Sequence, residues 1–270
     1  MKKRLFAIAL AVLAVLSLAA CGSKKGGEDE SMKYIKDNKK LILGLDDSFA
    51  PMGYRDDAGN IIGFDIDLAT AVCEKLGVEL VLQPIDWETK EVELNTKNID
   101  CIWNGFSVTE ERLKNLTMSE PYMENSISLV VVNGSDIKTK EDMAGRKLAV
   151  QSGSSAEEAL NAEENKDFKD SLAEVIGLSE YATALLDLET GSSDAVLMDS
   201  IMANYMINDL GKDYVVLSDS LVAEEYAIGF RKGEEELCTA VEDALKALKK
   251  EGTVAEIATK WFGSDVTIIK

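Results

Sequence analysis

Residues 104–112 (NGFSVTEER) combine small residues with a charged side chain that could bind an anion. Gly105 allows a close backbone approach, Ser107 has a free hydroxyl, and Arg112 offers a planar guanidinium that matches a carboxylate. Arg112 also follows two glutamates, with which a surface arginine would form an ion pair. The segment therefore predicts a carboxylate-binding arginine, with a surface ion pair as the alternative.

Two further segments place polar groups where an apolar run ends. The backbone amides of the turn Gly153-Ser154-Ser155 would face an anion at a helix start, although the same residues also suit an ordinary helix cap. Asp199 directly follows an apolar run and could either hold an ammonium group or cap the next helix. Each signal is therefore ambiguous when it is taken alone.

Together the three segments match the two charged ends of a free amino acid. We expect Arg112 and the helix-start amides to bind the carboxylate, and Asp199 and Ser107 to bind the ammonium group. Two complementary ion pairs with satisfied hydrogen bonds can offset the desolvation of both partners. The sequence thus predicts a binding site for a zwitterion.

The elements that must position these groups follow an α/β pattern, because short apolar runs alternate with amphipathic stretches. The predicted strands are residues 41–45, 78–82, 99–103, 127–132, 147–150, 195–198 and 214–217. The predicted helices are residues 64–76, 109–115, 200–209, 237–248 and 254–261, with another beginning near residue 156. Ligand groups in open α/β sheets usually lie where strands run into turns or helices, as all three segments do.

Composition excludes several classes of function. The 270-residue chain has 49 acidic and 29 basic residues, a formal net charge of −20 at pH 7, and no histidine. We expect no nucleic-acid partner, because a phosphate backbone would be repelled, and no histidine-dependent triad, base or zinc site. We also expect no catalytic residue, metal or cofactor. The acidity is typical of a solvated surface and could also favour cationic solutes. Three cysteines lie in apolar or helical patterns and are expected to be buried thiols: Cys73, Cys101 and Cys238.

Residues 1–20 have the pattern of a secretion signal, with three basic residues before an apolar run that is shorter than the roughly 20 residues of a membrane span. Residues 18–22 (LAACG) resemble the bacterial lipobox, in which the cysteine, here Cys21, is acylated and becomes the mature N-terminus. A chance cysteine after an ordinary signal is the alternative. Residues 21–33 are predicted to be a flexible tether.

Three ordered motifs carry a resemblance to a known family. They are residues 63–69 (GFDIDLA), 103–112 (WNGFSVTEER) and 119–122 (SEPY). In this order they resemble the polar amino acid substrate-binding proteins of ABC importers, the bacterial extracellular solute-binding proteins of family 3. The resemblance implies a type II, two-lobe periplasmic-binding-protein-like α/β fold whose lobes are joined by two hinge strands. The hinges are expected near residues 122–127 and 222–226, lobe 1 at residues 34–124 and 224–270, and lobe 2 at residues 125–223.

The resemblance also implies roles for particular residues. Arg112 would bind the ligand carboxylate with the Ser107 and Ser155 amides, while Asp199, Ser107 and the Gly105 carbonyl would bind the ammonium group. The side-chain pocket would be lined by Asp46, Phe49, Trp87, Asn104 and Gln151.

The ligand itself stays open among glutamine, arginine, lysine, histidine and cystine. Asp46 favours a polar or cationic side chain, and Phe49 and Trp87 would either sandwich that side chain or serve as core aromatics. Gln151 stands where some relatives have lysine, so their ligand does not transfer directly. A loop cysteine pair found in some basic amino acid binders is missing here.

The family function implies a monomer that is not an enzyme and that delivers a free amino acid to ABC permease and ATPase subunits. We expect it at the outer face of the cytoplasmic membrane, attached only through its lipid anchor. One alternative is a dehydratase-like enzyme on the same fold, with Asp46 and Glu88 as acid and base. Another is a sensory receptor that binds the same ligand.

Overall fold

The structure is a computed structural model that describes residues 28–270. The predicted secretion signal, Cys21 and the first part of the tether lie outside the described residues. The prediction that the tether extends to residue 33 is wrong, because helix α1 begins at Ser31. Its start is tied down: the Asp29 carboxylate accepts hydrogen bonds from the backbone amides of Ser31 at 2.9 Å and Glu236 at 2.6 Å.

A nine-stranded mixed sheet and a small three-stranded sheet form the β structure of residues 28–270. The strands of the large sheet are β1 Lys40–Leu45, β5 Glu79–Pro84, β6 Cys101–Ser107, β7 Leu116–Met118, β8 Met123–Val132, β9 Lys147–Gln151, β10 Glu174–Leu178, β11 Ala195–Asp199 and β12 Tyr214–Arg231. Their order is β10-β9-β11-β8-β12-β6-β1-β5, and β7 pairs with β12. The small antiparallel sheet contains β2 Ser48–Phe49, β3 Gly53–Arg55 and β4 Ile61–Ile62.

Helices cover both faces of the large sheet. They are α1 Ser31–Asn38, α2 Phe64–Leu76, α3 Lys90–Asn95, α4 Glu110–Asn115, α5 Ser155–Asn161, α6 Lys166–Ser171, α7 Tyr181–Thr190, α8 Ser200–Asn208, α9 Glu235–Glu251 and α10 Thr253–Phe262, with single 3-10 turns at Trp87–Thr89, Lys140–Met143 and Glu163–Asn165. The local signals explain several ends: the Thr109 side chain caps α4, and Gly77 ends α2 with a φ of 71°. No helix within residues 28–270 has both the length and the apolar content to cross a membrane.

Strands β8 and β12 are the two hinge strands of a two-lobed fold, as predicted. They pair antiparallel in the middle of the sheet, and the register runs from Tyr214 opposite Val132 to Tyr226 opposite Met123. On one side of this pair lie β6, β1 and β5, and on the other lie β11, β9 and β10. The prediction of a short strand at residues 214–217 was too brief, because β12 continues through the hinge and pairs with β6 and β7. The residue limits given for the lobes stay a prediction.

The three cysteines of the described chain are buried free thiols, which confirms that prediction: Cys73, Cys101 and Cys238. Burial raises the pKa of the Cys73 and Cys238 thiols to about 12, so both are neutral at physiological pH. They act as small apolar groups in the core.

Candidate ligand-binding site

One cavity between the lobes brings together all ten of the predicted ligand-binding residues. It is lined by Asp46, Phe49, Trp87, Asn104, Gly105, Ser107, Arg112, Gln151, Ser154, Ser155, Tyr181 and Asp199. The polar members follow or end β1, β6, β9 and β11. Since β1 and β6 are parallel within one lobe, and β9 and β11 within the other, the carboxyl ends of strands in each lobe meet at the cleft. Tyr181 is an addition that the sequence did not predict, and Ser154 belongs to the turn whose backbone amides were expected to face an anion.

Arg112 is the cation of this cavity and is only 1% exposed. Its Nη1 donates to the Ser107 carbonyl at 2.9 Å, and its Nη2 donates to the Glu158 carboxylate at 3.0 Å. The guanidinium lies 4.3 Å from the centroid of the Phe106 ring, and its Nε finds no acceptor among the described residues. Arg112 thus forms an ion pair, but the alternative of a surface ion pair with the neighbouring glutamates is wrong, because Arg112 is buried in the cleft and its partner is Glu158.

The turn before α5 serves as both a helix cap and part of the cleft. The Ser154 hydroxyl accepts a hydrogen bond from the Glu157 amide at 3.1 Å, which makes Ser154 the cap. The Ser155 side chain is therefore free to face the other lobe, where it lies 3.1 Å from the Ser107 hydroxyl. Gly153 has a φ of 71°, and a Cβ there would lie 2.9 Å from the Glu88 Cα. A glycine at this turn lets the two lobes approach closely.

Asp199 forms the acidic end of the cavity. It is buried and accepts hydrogen bonds from the Asn125 amide at 2.7 Å and the Tyr226 hydroxyl at 2.6 Å. Burial, and then the nearby Glu224 carboxylate, raise the pKa of Asp199 to about 7. These three neighbours come from the hinge strands. The hinge position was predicted, but nothing in the local sequence marked these residues as part of the site.

Asp46 stands at the end of the cavity assigned to the ligand side chain. Its Oδ1 accepts hydrogen bonds from the Ser48 amide and hydroxyl at 2.9 and 2.7 Å. Its Oδ2 accepts a hydrogen bond at 2.7 Å from Gln151 Nε2, which also donates to the Ser179 carbonyl. The Asn104 amide Nδ2 has no acceptor within residues 28–270. The Gln151 to Asp46 bond crosses the cleft and joins the two lobes.

The aromatic residues of the cavity are buried and belong to the core at the same time. Phe49 packs against Tyr181 with ring centroids 5.9 Å apart, and Trp87 meets Phe106 edge-on at 5.9 Å. Phe49 and Trp87 serve as core aromatics, because each packs in a hydrophobic cluster, and each also lines the cavity. That they sandwich the ligand side chain stays a prediction. Tyr181 supplies a third ring from the second lobe.

Gly105 has the backbone conformation that only glycine adopts easily. Its φ is 58°, and a Cβ there would lie 2.7 Å from Phe49 Cε1, so the chain needs a glycine at this position. The Gly105 amide donates to the Asp65 carboxylate at 2.7 Å, and the Tyr122 hydroxyl donates to the same oxygen at 2.9 Å. Burial raises the pKa of Asp65 to about 7. Asp65 thus ties the backbone of the site to the start of a hinge strand.

The arrangement favours binding over catalysis. Glu88, the proposed acid-base partner of Asp46, is exposed and is not among the residues that line the cavity in the described chain. No group of three or more potential metal ligands occurs in residues 28–270. What the cavity offers is one buried guanidinium and two buried acids, all held by hydrogen bonds.

Comparisons with known proteins place the chain among amino acid receptors. Residues 41–264 match the family model described as bacterial extracellular solute-binding proteins, family 3. The L-cystine-binding protein TcyJ of Escherichia coli (strain K12) is 31% identical over 260 residues, covering 96% of each chain. The ABC transporter glutamine-binding protein GlnH of Bacillus subtilis (strain 168) is 32% identical over 276 residues, covering 97% of this chain and 98% of the relative.

A solved structure gives the same picture. It is an ABC uptake transporter substrate-binding protein from Streptococcus pneumoniae with bound histidine, and it is 40% identical with a TM-score of 0.85. The similarity covers 89% of this chain and 99% of the other. The chain is thus similar in both sequence and fold to proteins whose names describe amino acid binding.

Proposed function

Because the chain belongs to the bacterial extracellular solute-binding proteins of family 3, we propose that its cleft binds a free polar amino acid and delivers it to an ABC importer. One observation carries the proposal. A single cavity holds the buried cation Arg112 and the buried acid Asp199, and the two reach it from different lobes. That pairing suits the carboxylate and the ammonium group of one zwitterion.

In this proposal Arg112 and the backbone amides of Ser107 and Ser155 bind the carboxylate. Asp199, the Ser107 hydroxyl and the Gly105 carbonyl bind the ammonium group. The Nε of Arg112, which lacks an acceptor in the described chain, supports this assignment because a buried donor gains stability from a hydrogen-bond partner. Ligand binding would supply that acceptor.

The ligand side chain extends toward Asp46, Phe49, Trp87, Asn104 and Gln151. Asp46 favours a side chain that donates hydrogen bonds or carries positive charge. The relatives bind cystine, glutamine and histidine by their names, so the family's pocket accepts polar side chains of different shape. We propose a polar or cationic amino acid.

Closure of the lobes serves as the signal for delivery. Because Arg112 and Asp199 lie on different lobes, a ligand that bridges them favours the closed state through contacts that the open state lacks. The closed monomer would then dock on the permease, and a separate ATPase subunit would drive release. We propose no catalytic role, since Glu88, the acid expected to partner Asp46 in an enzyme, is exposed and does not line the cavity of the described chain.

We further propose that acylated Cys21 holds the protein at the outer face of the cytoplasmic membrane. The motif at residues 18–22 supports this, and it lies outside the described residues. Two or more acyl chains on one residue would anchor the protein firmly, since each buried methylene contributes about 0.8 kcal/mol.

A thermal-shift screen tests the ligand proposal. The mature chain from residue 21, with Cys21→Ser to prevent acylation, is unfolded and refolded to remove bound solute. It is then heated with each of the common amino acids, cystine and ornithine. A ligand at 100 times its Kd adds about 2.7 kcal/mol of stability, which gives a shift of several degrees. A shift with one or a few polar amino acids is the expected result, and no shift with any of them contradicts the proposal.

A further inference from the structure

Glu224 lies on the hinge strand β12 and reaches toward the cleft from the hinge side. Its Oε2 accepts hydrogen bonds from the Ser107 hydroxyl at 2.7 Å and the Ser155 hydroxyl at 3.0 Å. The Asn125 amide lies 3.4 Å from the same oxygen and also donates to Asp199. One carboxylate oxygen therefore gathers two hydroxyls from opposite lobes.

Each of these two hydroxyl protons has only one or two acceptors within hydrogen-bond distance in the described chain. The Ser107 hydroxyl donates to Glu224 Oε2, and this hydrogen bond uses its only proton. The Ser155 proton goes either to Glu224 or to the Ser107 oxygen 3.1 Å away. In both arrangements the two protons lie inside the triangle formed by the three oxygens. The serines then present only lone pairs to the cavity that they line.

Two hydroxyl oxygens that only accept hydrogen bonds suit an ammonium group, while the backbone amides of the same two serines remain available to the carboxylate. We propose that Glu224 is a positioning residue that orients the Ser107 and Ser155 hydroxyls as acceptors, so that together with Asp199 they complete the ammonium site. Glu224 does so without lining the cavity itself in the described chain. This inference rests on the proposed function and adds to it the reason why two serines can serve a cation.

The test compares the affinity of Glu224→Gln with that of the unchanged protein for matched ligand pairs. The pairs are L-arginine, L-glutamine and L-histidine, each with its des-amino carboxylic acid, measured by titration calorimetry on the mature Cys21→Ser chain. A glutamine keeps the size of the side chain but is neutral and has a donor group in place of one acceptor oxygen, so it holds the two serine protons less firmly and lets them turn toward the cavity. We expect a loss of about tenfold or more for the amino acid and less than about twofold for its des-amino form.

Glu225→Gln is the matched control, because Glu225 is the next residue on the same strand and is exposed. It should leave both affinities unchanged. Ser155→Ala removes one acceptor without altering the carboxylate, and it should reproduce the ammonium-specific loss even if Glu224→Gln folds poorly.

The outcomes separate the two proposals. Equal losses for both members of a pair, an unchanged affinity, or tighter binding of the amino acid by Glu224→Gln would overturn the positioning role. If the unchanged protein binds none of the amino acids, the proposed function fails first and the positioning role fails with it.

Discussion

The two ends of the cleft differ in how their charged groups are satisfied. At one end, Arg112 makes two hydrogen bonds, and its Nε has no acceptor in the part of the chain that the structure describes. At the other end, both carboxylate oxygens of Asp46 already accept hydrogen bonds, from Ser48 and from Gln151 across the cleft. We call the Arg112 end the prepared end, because it keeps a donor without an acceptor in the described chain. We call the Asp46 end the selective end, because its oxygens are already hydrogen-bonded within the protein.

This difference suggests that one end binds the part shared by all amino acids and that the other end selects among their side chains. Every amino acid has a carboxylate that can satisfy Arg112. A ligand side chain that displaces Gln151 must itself donate to Asp46 Oδ2, because a buried acceptor oxygen without a partner costs about 1–3 kcal/mol. If the proposed function holds, the first end sets affinity for all amino acids, and the second end discriminates among them.

The largest expected effect on ligand affinity comes from replacing Arg112. Arg112→Ala should weaken binding of every amino acid by at least about a hundredfold, because removing one partner of a buried charge pair costs roughly 3–5 kcal/mol. Arg112→Lys should restore little, since an ammonium group lacks the planar fork. Calorimetry with the amino acids found in the screen measures both losses.

Arg146→Ala is the control for this experiment, because Arg146 is a partly exposed arginine that pairs with Asp136 and Asp194. Its affinity should equal that of the unchanged protein. Binding by Arg112→Ala within a few-fold of the control would mean that the carboxylate binds elsewhere.

The next largest effect is a pH dependence of ligand affinity, which arises where Asp199 binds the ammonium group. Burial and Glu224 raise the pKa of Asp199 in the empty cleft to about 7, and a bound ammonium group would lower that pKa. Binding therefore releases a proton, so affinity should fall as the pH drops below about 7 and level off above it. Calorimetry between pH 5 and 8 in buffers of different ionisation enthalpy measures the slope and the released proton.

Asp199→Asn should bind about a hundredfold more weakly at pH 8 and should lose most of this slope, because its amide does not titrate in this range. A pH dependence that persists unchanged in Asp199→Asn would assign the titration to another group. In that case Asp199 would not be the group whose ionisation is linked to binding of the ammonium group.

A smaller effect should appear at the selective end. Asp46→Ala should weaken a cationic ligand by about tenfold or more and a neutral one much less, because only the cation loses an ion pair. The measurement is the affinity of one variant for L-arginine or L-lysine against L-glutamine. Equal losses for the two classes would show that Asp46 supports the pocket without reading the side chain.

The residues expected to bind the charged groups of the ligand were easier to predict from sequence than the residues that support them. Arg112, Ser107 and Asp199 lie in or beside short motifs at strand ends, where local patterns carry the signal. Tyr181 begins a helix, α7, that the apolar pattern did not predict. Glu224 reaches the site only because β12 pairs with β8 and β6. Such residues depend on the register of distant strands, and no local spacing encodes that register.

The smallest expected effect tests whether closure can be weakened without touching either end. Lys90 is 5% exposed, and its Nζ donates to the Trp87 carbonyl at 3.1 Å and to the Gly153 carbonyl of the other lobe at 2.7 Å. Lys90→Met keeps the apolar stem and removes this bond between lobes. Affinity should fall by only about threefold to tenfold, through faster release, because the net value of one such bond is about 1 kcal/mol.

Stopped-flow measurement of ligand release checks this, with Lys114→Met as the control because Lys114 is highly exposed on the same lobe. The fold-change for Lys90→Met should be the same for cationic and neutral ligands, since the bond lies behind Trp87 and does not involve Asp46. A loss that depends on the ligand side chain would make Lys90 part of the selective end. Lys90 would then act on the ligand side chain together with Asp46, and the contrast between Arg112 and Asp46 would no longer be enough to explain selectivity.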